Sequence, residues 1–172
     1  MERRNEAIKI IALGTVASIV YGIVHDQVTA RLCLEYFTVW HTHITDAKDP
    51  TTVAIVWGTA ASWWMGLILS VPLALASVLG QEPILKARQL VKPISFLLLA
   101  MALGASVGGL IAYRSGYNAG AGLIRGAVTP NRYPIFSTVY AAHLSCYLVA
   151  VLGGIGLWIY AALKRQSPVS GT

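Results

Sequence analysis

Three of the four histidines stand in residues 21–43, where His25, His41 and His43 share a short stretch with Asp26, Cys33 and Glu35. Imidazole and carboxylate are the usual protein ligands of zinc, iron and copper, and a catalytic centre keeps one position open for water or substrate. The candidate ligands are His25, Asp26, Glu35, His41 and the distant His143, with a transition metal (zinc, iron or copper) as the implied cofactor. Tyr21, one turn before His25, and Tyr140, nearly one turn before His143, are candidates for contact with a substrate. Arg125 joins them, from a Gly-rich segment that carries three arginines and no acid. The spacing matches no strong signature: there is no His-Glu-x-x-His, no paired Glu-x-x-His and no Cys-x-x-Cys. His41 and His43 diverge on a helix and converge only on an extended chain. His43 and Asp46 follow the helical pattern's end and are expected to face solvent.

The same residues have a purely structural reading. The first loop holds four acids, Asp26, Glu35, Asp46 and Asp49, against Arg31 and Lys48, a net charge of −2. The second holds Arg114, Arg125 and Arg132, a net charge of +3. The loops could close on each other through Arg–carboxylate pairs, with His25 and His143 bonded between helices. Tyr21, Tyr140 and Tyr147 would then be interfacial anchors or core residues, and Cys33, with no evident activating base, an inert thiol.

The elements that must position these groups are apolar. Of the 172 residues 56% are hydrophobic and 12% charged, and mean hydropathy is +0.63. Four runs, at about 8–24, 53–79, 93–113 and 135–163, are long enough to cross a hydrocarbon layer of ~30 Å, which takes roughly 20 helical residues. Lys9 is the one Lys, Arg, Asp or Glu inside them. Backbone groups in lipid must bond within their own segment, so the runs are helices. The fold class is all-α, a four-helix transmembrane bundle forming one domain over 1–165, with a disordered polar tail at 166–172.

Basic residues orient the bundle. Arg3, Arg4, Lys9, Lys86, Arg88, Lys92, Lys164 and Arg165, eight of the thirteen, fall on one side in short segments. The positive-inside rule therefore places both termini in the cytoplasm. The net charge of +6 then needs no nucleic-acid partner; the bilayer and its anionic headgroups account for it. Arg3-Arg4, the first apolar run and Val28-Thr29-Ala30 also resemble a secretory leader, but His25, Asp26 and Gln27 just before the cut favour an uncleaved first helix. Cys33 in the loop and Cys146 three turns into the fourth run lie at different depths, too far apart for a disulfide.

Small residues recur at spacing four in the first three runs: Gly14, Ser18 and Gly22; Gly58, Ser62, Gly66 and Ser70; Ala100, Gly104, Gly108 and Ala112. Such ridges let helices approach closely, and the third is the strongest, which suggests the centre of the bundle. Gln27, Arg31, Glu35, Thr38 and Thr42 form a polar stripe beside an apolar one, which predicts a short amphipathic helix in the first outer loop ending near His43. Trp57, Trp63 and Trp64 suggest an interfacial belt, and Pro72 should kink the second span and free a carbonyl. Residues 114–134 read as a Gly-rich lid or a short re-entrant piece. No internal repeat marks an inverted-repeat transporter.

The run Tyr-Gly-Ile-Val-His-Asp-Gln-Val-Thr-Ala-Arg at 21–31, Glu-Tyr-Phe-Thr at 35–38 and Trp-Gly-Thr-Ala-Ala-Ser-Trp-Trp-Met-Gly at 57–66 resemble a family of small bacterial integral membrane proteins. The resemblance covers roughly the first half of the chain. Where that family has Gly-His-Pro, this chain has Trp40-His41-Thr42, so His41 fits and its neighbours do not. It implies a bacterial four-span protein of the inner membrane and brings no activity or catalytic residue with it. Two functions follow. The first is a non-enzymatic accessory or scaffold in a homo-oligomer or larger membrane complex; the alternative is a metal-dependent membrane enzyme acting on a lipid or other membrane-soluble substrate.

Overall fold

Long apolar runs with few charges leave the backbone one solution, and the computed structural model shows it. Residues 1–80, 83–116 and 120–166 are described. They form four long helices: α1 (Glu2–Leu32), α2 (Pro50–Val78), α3 (Ala87–Ser115) and α4 (Tyr133–Gln166). All four are long and apolar enough to cross a membrane, and no strand occurs among the described residues. Their outward faces carry Val20, Val24, Leu103, Leu110, Leu148 and Leu152, all more than half exposed or close to it. Their facing sides are dominated by small residues. This inversion of the soluble pattern, together with the four spans, defines a multi-pass membrane protein. The polar tail expected from 166 onward lies, beyond Gln166, outside the described residues.

The helices pair as two hairpins, α1 with α2 and α3 with α4. Between the hairpins α2 touches α4 and α1 touches α3, so the order around the bundle is α1, α2, α4, α3, and α1 faces α4 across the diagonal. The α1–α2 seam is the closest. A Cβ on Gly58 would lie 2.5 Å from the Ile23 backbone nitrogen, and one on Gly66 would lie 2.8 Å from the Thr15 Cα. Gly22 meets Gly58 and Ser62, and Gly14 meets Ser70, so the two ridges mesh tooth by tooth in antiparallel register. Hydroxyls then bond across it: Ser18 Oγ donates to the Ser62 carbonyl at 3.0 Å and Ser70 Oγ to the Ile11 carbonyl at 3.4 Å. The α3 ridge does not occupy the middle of the bundle. Gly104, Gly108 and Gly109 meet Val149, Ser145 and Thr138 of α4.

One end of the bundle is closed by charge. Arg3 donates to the carbonyls of Val78 and Gly80, both at 2.7 Å, and Arg165 to those of Ala76, Leu79 and Pro83. Two guanidiniums thus satisfy the carbonyls that α2 leaves unpaired at its negative end. Glu6 does the reverse for α3, accepting from the Ala87 amide at 3.0 Å, while Gln89 caps the Lys86 amide at 2.8 Å. Glu6 is buried, and nothing in its spacing announced it. Pro72 cannot donate to the carbonyl four residues back, and at the neighbouring Leu69 the carbonyl accepts from Trp158 Nε1 at 2.8 Å.

At the other end the first loop is less helical than its stripe suggests. α1 carries the pattern to Leu32, Cys33 turns to an extended conformation, and a single π-helical turn spans Tyr36–Trp40. Around the break Cys33, Tyr36 and Phe37 join a buried cluster with Val53, Ile124, Phe136 and Val139. Among the described residues of 114–134 are two 3-10 turns, Ala121–Ile124 and Pro130–Arg132, with Ile124 fully buried in that same cluster. Trp63 and Trp64 face outward, whereas Trp57 turns inward against Phe37 and His41. Asp49 caps α2 through the Thr52 amide at 2.8 Å, with Pro50 opening the helix.

The seam makes a direct prediction. Gly58→Ala puts a methyl against rigid backbone and is expected to cost about 1–3 kcal/mol, whereas Gly156→Ala, with nothing within 4 Å, should be neutral or slightly stabilising. Unfolding of both variants in one detergent compares them directly.

Candidate metal centre

The diagonal of the bundle is bridged by polar groups from α1 and α4. Asp26 is buried on α1, one helical step beyond Gly22, and its Oδ1 lies 3.2 Å from Nε2 of His143 on α4. Thr29 Oγ1 also approaches Oδ1, at 3.4 Å. The other ring nitrogen of His143, Nδ1, donates to the Val139 carbonyl one turn earlier, at 2.9 Å. That bond fixes the ring and turns Nε2 toward Asp26, the arrangement by which a second bond orients a metal-ligating histidine. A carbonyl only accepts, so Nδ1 keeps its proton. The Nε2–Oδ1 contact then requires one shared proton or, in its place, a cation.

His25 completes the group. Its ring stands edge-on to that of His143 with centroids 4.6 Å apart, and Nε2 is buried without a hydrogen-bond partner among the described residues. Single ligand atoms of His25, Asp26 and His143 all lie within 4.8 Å of one another. An unpartnered buried imidazole nitrogen is costly, and a cation among the three is one way of satisfying it.

Around this centre Tyr36 stacks on His143 at 4.3 Å and Phe37 meets its edge at 5.8 Å. Tyr21 stacks on His25 at 5.8 Å, and its hydroxyl accepts from Cys146 Sγ at 3.4 Å. The centre lies at one end of a cavity of about 140 Å³ that runs between the hairpins from Asp26 and His143 to Leu73, Ile94 and Trp158. His41 borders the same cavity, half-buried among Tyr36, Trp40 and Trp57, and outside the 4.8 Å group. Burial, aided by His143, pushes the His41 imidazole toward its neutral form.

Two of the expected ligands are thus placed otherwise. Glu35, past the break at Cys33, points across to the second loop and forms a two-pronged pair with Arg132, both contacts at 2.7 Å. That is the inter-loop Arg–carboxylate closure that the opposite loop charges suggest. Among the substrate candidates only Tyr21 lines the cavity. Tyr140 packs between Trp40 and Phe136, and Arg125 is exposed beside its bridge to Val128. His43 pairs with Asp46 at 2.8 Å on the surface. Cys33 and Cys146 are both free thiols, and burial pushes the Cys33 thiol up to about 11. Tyr36 was legible on the apolar stripe of Val28, Leu32, Tyr36, Val39 and Trp40, and Trp57 as a belt residue; Phe37 lay on neither, and nothing in the spacing tied the three to His143. Comparison of the chain with family models, with curated proteins and with solved structures finds no match.

The Glu35–Arg132 pair carries its own test. The guanidinium holds the Glu35 carboxyl down at about 2, so the pair's contribution is complete above the usual carboxylate range and is lost as pH falls toward 2. Both side chains are partly exposed, which limits the contribution to about 1 kcal/mol or less. The gap in unfolding temperature between the parent protein and Glu35→Gln should be constant from neutral pH to about 5 and close below about 4.

Proposed function

We propose that this is a metalloprotein of the bacterial inner membrane, with both termini in the cytoplasm. In this reading a transition-metal ion bound by His25, Asp26 and His143 acts on a lipid or other membrane-soluble molecule. The observation that carries it is the buried Nε2 of His25, without a hydrogen-bond partner among the described residues, in a ring beside the Asp26–His143 pair at the end of a cavity inside the bundle. Two imidazoles and one carboxylate leave coordination positions open, as catalytic centres do, and a metal there would polarise an oxygen bound at an open position. Metal uptake would displace the proton shared by Asp26 and His143.

The accessory or scaffold reading needs packing faces available to partners. What weighs against it is that the small-residue ridges of α1, α2 and α3 are engaged within the bundle, and the outward faces carry large aliphatic side chains suited to lipid.

Metal content tests the reading. Protein purified without a chelating tag should hold near-stoichiometric metal. His25→Ala, Asp26→Asn and His143→Ala should each lower its affinity more than tenfold. His41→Ala, Glu35→Gln and His43→Ala should retain it. A parent protein that takes up no zinc, iron or copper sinks the proposal. Orientation is tested separately, in a background with Cys33 and Cys146 replaced. Asp46→Cys and Ala127→Cys should react with an impermeant thiol reagent from outside intact cells, and Arg88→Cys only after lysis.

A further inference from the structure

The cavity below the centre has two chemically different ends. At the outer end it meets His25, Asp26, His41, His143 and the Tyr36 ring. Ser62 and Tyr147 border its middle. Toward the inner end Ser18 and Ser70 donate to backbone carbonyls of the facing helix, and Trp158 Nε1 donates to Leu69. What remains there for an occupant is aliphatic surface, from Leu73, Ile94, Leu98 and Met101. The lining runs on α1 from Asp26 to Gly14, a length of ~18 Å at about 1.5 Å per residue. Its volume of about 140 Å³ is close to that of a protein cavity that takes up one benzene, so there is room for about six carbons and for one chain. A two-chain phospholipid does not fit such a space.

The head is decided by charge. A divalent ion held by two neutral imidazoles and one carboxylate leaves one uncompensated positive charge inside an apolar bundle, which is expensive to bury. An anionic oxygen donor at an open position removes it, and a carboxylate supplies that donor on a slender chain. From the metal reading above, on which this rests, we infer that the cavity binds a medium-chain monocarboxylate, with its head on the ion held by His25, Asp26 and His143 and its tail along Leu98 toward Trp158.

The experiment is calorimetric titration of acetate, hexanoate and 1-hexanol into the zinc-loaded protein in nanodiscs, with metal content measured on every sample. Hexanoate should bind at least tenfold more tightly than acetate and than 1-hexanol, and removal of zinc should cost hexanoate at least tenfold. Ala61→Phe and Leu98→Trp, two fillings of the cavity from different helices, should each keep the zinc and weaken hexanoate at least tenfold. Retained zinc also reports that the variants are folded. Equal binding of hexanoate and 1-hexanol, or hexanoate binding unchanged in both filled variants, overturns the inference and leaves the metal reading intact. Failure of the parent to hold zinc overturns the metal reading, and hexanoate binding that persists without zinc overturns the placement of the head.

Discussion

In lipid no hydrophobic force presses one helix against another, so association depends on how closely two backbones can approach. The contact of Gly22 on α1 with Gly58 on α2 is where that constraint is tightest, since a Cβ on Gly58 would meet Ile23 backbone at 2.5 and 2.6 Å. The rest of the bundle follows from it. The meshed ridges set the register of the first hairpin, the register sets the depth of His25 and Asp26, and that depth is where α4 presents His143. A change at this seam would reach the polar group without touching any member of it.

The row Gly14, Ser18, Gly22 continues at the same spacing to Asp26. Four residues overshoot a helical turn by ~40°, so a row that faces α2 lower down turns toward the bundle axis as it rises. At Asp26 it reaches His143 across the diagonal. The position that a small residue occupies three times is taken the fourth time by a carboxylate. This is how a packing ridge delivers an acid to the interior.

The two ends of the bundle use charge differently. At one, Arg3, Arg165 and Glu6 are bonded to helix termini, so charged side chains finish the helices there. At the other, Glu35 and Arg132 join the loops over a buried cluster that holds Tyr36 and Phe37 against His143. Glu35 therefore secures the cover of the cavity without entering it. Its conformation follows from the break at Cys33, which trades helical hydrogen bonds for burial of three side chains.

The sequence by itself determined the four spans, the meshing residues of α1 and α2 and the identity of the polar stretch that matters. Those features are local or periodic, and length, hydropathy and spacing encode them. It could not decide which of the five candidate ligands converge. His25, Asp26 and His143 come together because the bundle order places α1 diagonally opposite α4, and that order depends on contacts between distant residues, such as Leu69 of α2 with Trp158 of α4, 89 positions apart. Glu35 looked like a ligand because spacing records its helical stripe, but it does not record the turn at Cys33 that sends it to Arg132. Trp57 looked like an interfacial residue, since depth follows from sequence position, whereas its inward rotamer depends on the space left by Phe37 and His41. Chemistry at a single centre needs directions as well as depths, and directions are a property of the packed helices.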